Sequence, residues 1–298
     1  MDDTAKTGPK VTLTKLDPSV PLLYVTGPAG LAIRAGTVFN GRRFPADTWV
    51  PIAAGALEPG ADYGVAFGAD GLGVEKLAVA APLQNYLGGF HYAPGGNAPA
   101  RSGGDAVPAI NPYSLWDANF RPSCPDPRGM TLVTAPAGAF WCDIYLTGAN
   151  HLDDGTSKFG VQIADADDPP QKPGGGRFDR FSYPIAVSVL AHHGKALLGL
   201  EEYFAAAYGV TEKTARQENP HITGLDAPRT SKFGLMQATG NVWTWGHDND
   251  PEAPRPALFG SSWRKDGFAG SRSASLGHWP DHSHDHIGAR GRCNHLQT

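Results

Sequence analysis

Short apolar runs punctuated by turn residues fill the first third of the chain. Leu22 to Val25, Gly36 to Phe39, Val50 to Ile52 and Tyr63 to Phe67 each read as a strand, so the stretch from Val11 to about Val79 is predicted to be β-rich. Between Leu87 and Pro127 neither the strand nor the helix period survives. The strings GGFHYAPGG and INPYSLWDANFRP predict an irregular connection, packed down by Phe90, Tyr92, Tyr113, Trp116 and Phe120. Alternation returns near Gly129, where MTLV and AFWCDIYL predict two strands. Helical signals first occur after the polar loop Asp153 to Arg177. Phe181 to His192 carries Ile185, Val187, Val189 and Leu190 among small residues; LEEYFAAA, Leu200 to Ala207, opens with Glu201 and Glu202, where the helix dipole favours acids. Beyond Gly209 the turn residues recur every few positions, predicting loops and short strands. Long ordered loops of this kind usually carry function.

The pattern divides the chain into a β-rich adaptor or oligomerisation domain over 1–85, an irregular connecting segment over 86–128, and a domain over 129–298 with two helices, short strands and long loops, α+β in class. A length of 298 residues favours two cores over one. With 41% hydrophobic and 18% charged residues the chain is no disordered solvating segment, and its 38 Gly and 26 Pro agree with many turns. A net charge of -4 without any Lys/Arg run gives no electrostatic footprint for nucleic acid or an anionic membrane. Met1 to Lys10 has neither the apolar core nor the cleavage site of a signal peptide, and no stretch is long enough for membrane insertion. Synthesis in the cytoplasm without export is therefore expected. Cys124, Cys142 and Cys293 lack any CxxC spacing and read as buried small hydrophobes, not as a disulfide framework or zinc site. No GxSxG or HExxH pattern sets a base beside a nucleophile, so neither catalytic residues nor cofactors are expected.

Three strings in the last third are more specific together than apart: FGLMQATGNVWTW (Phe233 to Trp245), RPALFGSSW (Arg255 to Trp263) and GARGRCNHL (Gly288 to Leu296). In this order and spacing they resemble the variable proteins of diversity-generating retroelements, phage tropism determinants among them, which have the C-type-lectin fold of the formylglycine-generating-enzyme branch. LLGLEEYFAAAYG, Leu197 to Gly209, resembles the second helix of that fold, and the likeness runs from about Gly129 to the carboxyl terminus. GGFHY and DPRGM also resemble pieces of phage receptor-binding proteins.

The resemblance implies a C-type-lectin-like ligand-binding domain whose variable region, about 257–296, interleaves fixed positions with positions rewritten by mutagenic retrohoming. Trp263, Gly270, Ser271, Arg272, Ala274, Pro280, Ser283 and Gly288 map to fixed positions. Ser262, Arg264, Lys265, Asp266, Phe268, Ser275, Gly277, His278, His282, His284, Asp285 and His286 map to rewritten, ligand-binding ones. Leu276, Trp279 and Asp281 depart from the family pattern. Randomising the adenines of AAC codons yields His, Asp, Arg, Ser, Gly and Phe but not Lys, so every rewritten candidate except Lys265 obeys the rule. Asn241, Trp243, Trp245, Trp263, Arg272 and Arg290 are expected to act as scaffold anchors, although Arg272 is equally readable as a solvated charge.

By side-chain chemistry the candidate set combines aromatic, planar and small polar groups, as recognition surfaces do. Read as an extended segment, Pro280 to Ile287 would put His282, His284 and His286 on one face about 7 Å apart. Such spacing could catch a metal ion, but a rewritten surface offers no fixed second shell, so no metal site is assigned. The residues alone leave open that Phe268 is core and that the histidines form a solvated loop. The resemblance implies an unknown target, a protein or cell-surface receptor. It also implies a place in a phage tail, or in the cytoplasm before assembly, with virion attachment or self-association through the amino-terminal domain. The rivals are an oxidase like the formylglycine-generating enzymes and an invariant structural virion protein. The oxidase branch uses two cysteines near the carboxyl terminus, whereas only Cys293 follows residue 142 here.

Overall fold

A computed structural model describes residues 12–69, 71–79, 81–99 and 101–296; the polar start from Met1 to Lys10 lies outside the described residues. Strands predominate, and three short α-helices accompany them. Two small three-stranded sheets come first. One pairs Leu13–Thr14, Thr37–Phe39 and Arg42–Phe44; the other pairs Leu23–Gly27, Gly30–Ile33 and Thr48–Trp49. Asn40 and Gly41 both adopt positive φ between Phe39 and its partner Arg42, the two-residue hairpin geometry that Asn-Gly favours.

A five-stranded sheet follows, built from Ala61–Gly68, Gly71–Lys76, Gly88–Ala93, Ala109–Ile110 and Trp116–Asp117. Alternation along the first strand turns Tyr63 and Val65 into a core with Leu22, Leu31, Ile33, Phe90 and Leu115, where the Tyr63 and Phe90 rings stack 5.5 Å apart. The expectation of an irregular connection over 86–128 is thereby corrected, because this stretch supplies three strands. Its glycines mark close packing: a Cβ on Gly88 would stand 2.3 Å from the Trp116 carbonyl oxygen, and one on Gly89 would strike the Trp116 ring.

The rest of the chain surrounds an eight-stranded sheet. Its order is Met130–Ala135, Gly138–Asp143, Gly291–Asn294, Ala196–Gly199, Trp243–His247, Pro256–Phe259 and Ala274–Leu276, with Ile287–Gly288 also paired to Trp243–His247. The two predicted helices are present as Tyr183–His192, which starts at a Pro in its first turn, and Leu200–Ala206, where Glu202 accepts the Gly199 N–H at 3.0 Å. Strand alternation sends Leu198, Ala257 and Phe259 to a core with Tyr203 and Ala206, and sends Leu197, Leu258 and Trp245 to a core with Ala186, Val189 and Leu190. The helices thus cover opposite faces of the sheet, and the segment between Phe259 and Ile287 is left to form the outer loops.

Candidate recognition surface

The segment leaves the sheet after Phe259 and is secured at once. Asn241 and Ser262 form a parallel bridge, and the Trp263 N–H donates to the Asn241 carbonyl at 2.9 Å. Ser262 is only 1% exposed and buries its hydroxyl, which corrects its expected place among the ligand-binding residues: the bridge turns it inward. Asn241 serves the loop through this backbone carbonyl, while its side-chain amide donates to Asp226 and to the Thr239 carbonyl, both at 3.0 Å. Asp266 is exposed at the start of a 3-10 turn ending at Phe268, yet its carboxylate accepts the Ala215 N–H at 2.5 Å and so ties its own loop down.

Arg272 is exposed and makes no hydrogen bond or ion pair among the described residues, a correction in favour of the solvated-charge reading. The anchor is its neighbour Ser271, whose N–H and hydroxyl both donate to the Glu212 carboxylate, at 3.1 and 2.5 Å. Glu212 lies almost sixty residues upstream, where no local pattern advertised it. The distal loop is held the same way. The Tyr183 N–H donates to the Pro280 carbonyl at 3.0 Å, the Phe181 N–H to Ser283 Oγ at 2.8 Å, and Asn219 Nδ2 to the Asp285 carbonyl at 3.2 Å. The Trp243 N–H closes it on the His286 carbonyl at 2.8 Å. Beneath, Trp245 is fully buried and donates Nε1–H to the Phe181 carbonyl at 3.2 Å. Arg290, 1% exposed, donates to the carbonyls of Asp143, Ile144 and Met236 at 2.8, 2.5 and 2.6 Å.

On this framework the side chains touch one another in a continuous row. Ser275 Oγ meets His278 Nε2 at 2.8 Å, and the His278 and His282 Nδ1 atoms stand 3.5 Å apart. The His282 and His284 rings lie 5.9 Å apart, and the His284 and His286 rings stack at 5.1 Å. His286 Nδ1 contacts Asp285 Oδ1 at 2.8 Å, and Arg264 binds the other Asp285 oxygen at 2.5 Å while lying 4.8 Å over the half-buried Trp263 ring. Burial works to raise the Asp285 pKa, but the hydrogen bonds from His286 and Arg264 outweigh it and hold the carboxyl below its ordinary value. The histidines adjoin although Pro280 to His286 is no strand; turns closed by Trp279–His282 and His284–Ile287 hydrogen bonds bring them together. Among the described residues no group of three or more His, Cys, Asp or Glu is arranged to hold a metal ion.

Lys265, Gly277 and Phe268 are exposed, Phe268 by 74%. Trp279, also 74% exposed, and Leu276, at 55%, join them as bare apolar groups that the sequence marked only as departures from a pattern. None of these residues lines either of two large hollows, of about 720 and 1400 Å³, elsewhere on the molecule. A broad exposed face with bare aromatics suits a macromolecular partner better than an enclosed small ligand.

Acid should loosen the structure. Burial, which disfavours the charged ring, is the largest cause lowering the pKa of His151, His193, His247, His278, His286 and His295, with His193 reaching about 4. His151 Nε2–H donates to the Gln171 carbonyl at 2.9 Å, so His151 Nδ1 accepts from His193 Nε2–H at 2.9 Å, and a proton added to His151 would break that bond. Their contribution to stability is complete above the unfolded imidazole value of about 6.5 and is lost as pH falls towards 4, because the unfolded chain then binds more protons. Asp165, pushed up to about 6 by burial, works the other way, but it is one group against six. The melting temperature should therefore drop steadily between pH 7 and pH 4.5; a flat profile there would contradict the buried neutral imidazoles.

Fold and surface together define a display protein: a β-rich framework that fixes the backbone of an exposed loop set by contacts from outside it. Residues 21–117 match the family described as Mtd second domain. The tail fiber receptor-binding protein of Bordetella phage BPP-1 is 38% identical over 330 aligned positions, covering 96% of this chain and 85% of that protein. The solved structures of the U1 and P3c variants of the Major Tropism Determinant superpose with TM-scores of 0.86 each, at 38% and 39% identity, covering 95% and 96% of this chain and 86% of each relative. The chain belongs to this family of phage tail fiber receptor-binding proteins and tropism determinants. No helix among the described residues is long and apolar enough to cross a membrane.

Proposed function

We propose that the chain is a phage tail receptor-binding protein, and that Arg264, Lys265, Phe268, Ser275, Gly277, His278, His282, His284, Asp285 and His286 form its recognition face. The observation that carries this reading is the unbroken row of contacts from Ser275 to Trp263 on one exposed side, over a backbone held by Glu212, Asn219, Phe181 and Tyr183. Side chains that do not hold the loops can be exchanged freely. Mutagenic retrohoming is the source of that exchange, and a C-type-lectin-like arrangement of 129–298 is its scaffold. The amino-terminal β-rich part is the attachment unit, and several copies on one tail would raise weak affinities by avidity. Trp279 cannot arise from an AAC codon, so it acts as a constant aromatic contact beside changing neighbours. The face works by binding and requires no catalysis.

The genome encoding this chain is expected to carry, beside a reverse transcriptase gene, an imperfect repeat of the segment encoding Ala257 to Leu296 that differs at template adenines. Sequencing the flanking DNA and many clonal isolates checks this. A locus without the repeat, and isolates invariant from 264 to 286, would instead describe an invariant virion protein.

A further inference from the structure

Cys124 and Cys293 read from the sequence as unrelated buried thiols, yet the fold sets them face to face. The chain from Arg121 to Cys124 runs antiparallel to Cys293 to Leu296. The Leu296 N–H donates to the Arg121 carbonyl at 2.8 Å, the Ser123 N–H donates to the Asn294 carbonyl at 2.9 Å, and Pro122 pairs with His295. The register then places Cys124 directly across from Cys293. Because the hydrogen bonds belong to the 121/296 and 123/294 pairs, 124/293 is a narrow, non-hydrogen-bonded pair, in which Cα atoms stand about 4.5 Å apart and side chains approach closely. A disulfide spans Cα separations of about 4.4–6.8 Å.

Both thiols lie in one buried cluster with Met130 and Trp141, where Cys124 Sγ lies 3.4 Å from the Asp126 carbonyl oxygen and 3.5 Å from the Met130 sulfur. The neighbouring Cys124, aided by the charge of Lys195, brings the Cys293 thiol down to about 7 despite burial, and the same proximity together with burial drives the Cys124 thiol upward. The Lys195 ammonium is itself fixed by Asp143 and Thr156 at 2.6 and 2.8 Å. Cys142 belongs to a different core, where burial pushes its thiol up, so it has no part in this pair.

We propose that Cys124 and Cys293 are a disulfide-forming pair, closed by a small disulfide such as oxidised glutathione, which fastens the strand Gly291–Asn294 behind the recognition loops to the segment leading into the large sheet. The Cys293 thiolate attacks one sulfur of the oxidant, forming a mixed disulfide and releasing one glutathione thiolate. Cys124 gives its proton to solvent base and its thiolate attacks the Cys293 sulfur, expelling the second glutathione; the two cysteines lose two electrons, which the glutathione S–S bond takes up. The bond closes a loop of more than ~100 residues, the length at which cross-linking constrains the unfolded chain most.

The full chain should be incubated with oxidised glutathione at pH 8, both as the native protein and during refolding in a glutathione redox buffer. Thiols are then counted in denaturant, and digests are mapped by mass spectrometry without reduction. The expected result is one remaining thiol, a peptide pair joined through Cys124 and Cys293, and a melting temperature roughly 5–10 °C above that of the reduced protein. Cys124→Ser and Cys293→Ser should each abolish the joined peptide, and Cys142→Ser should retain it. Three free thiols after both treatments, glutathione adducts that never resolve, or a bond to Cys142 would overturn the proposal.

Discussion

Arg290→Met is expected to lower the melting temperature by roughly 10–15 °C. Methionine fills a similar volume, so the substitution tests hydrogen bonding more than packing. The guanidinium donates to three buried carbonyls, those of Asp143, Ile144 and Met236, from two distant parts of the chain. Each buried acceptor left without a donor costs about 1–3 kcal/mol, so three together remove a large part of a typical stability of roughly 5–15 kcal/mol. Burial is the main influence on this side chain and pulls its pKa down, but an arginine stays charged, and the three carbonyls are what make its burial tolerable. Arg290→Lys should fall between, because an ammonium on a flexible stem cannot reproduce the planar fork. Thermal unfolding followed by circular dichroism decides the matter. A methionine variant melting within about 3 °C of the parent would mean that the three carbonyls find other donors.

The second large effect is on attachment, with stability nearly untouched. Changing Arg264, Phe268, Ser275, His278, His282, His284 and His286 together to alanine should abolish adsorption to the host cell, while the melting temperature moves by less than ~4 °C. Phe268 is 74% exposed and the Arg264–Asp285 pair is half open to solvent, so little burial or ion-pair energy is lost. The anchoring bonds from Glu212, Asn219, Phe181 and Tyr183 end on backbone atoms or on Ser271 and Ser283, all of which the variant keeps. Cell adsorption and differential scanning calorimetry on the same preparation separate the two quantities. A loss of 10 °C or more would place these side chains in the framework, and full adsorption would move the recognition face elsewhere.

How far the sequence could be read depended on the range of the signal. Apolar alternation and helix-start acids are local, and they located the strands around Tyr63 and Phe140 and both helices to within three residues. Trp245 and Arg290, embedded in recognisable strings, are buried beneath the loops. Gly88 and Gly89 misled, because glycine normally signals a break; here it is required by the approach of Trp116, a partner set by the sheet and invisible in the string itself. Ser262 and Arg272 were misplaced for a related reason. Which of two adjacent polar residues faces inward is settled by the Asn241 bridge and by the Glu212 carboxylate, contacts that span about twenty and sixty residues. Trp279 and Leu276 stood out only as departures from a pattern, and exposure was not legible in either.

The loop set from Ser261 to Ile287 is shaped from outside, by donors and acceptors that the residues proposed for its recognition face do not supply. A population of phage differing along that stretch would consequently share one contour and one tolerance of heat, and would differ only in the chemical groups offered to a cell. Asp266 is the exception, since it holds the Ala215 N–H with its own carboxylate. Among progeny that have lost an acid there, the same contour would have to be kept by the remaining ties alone, and that single codon should drift less than its neighbours.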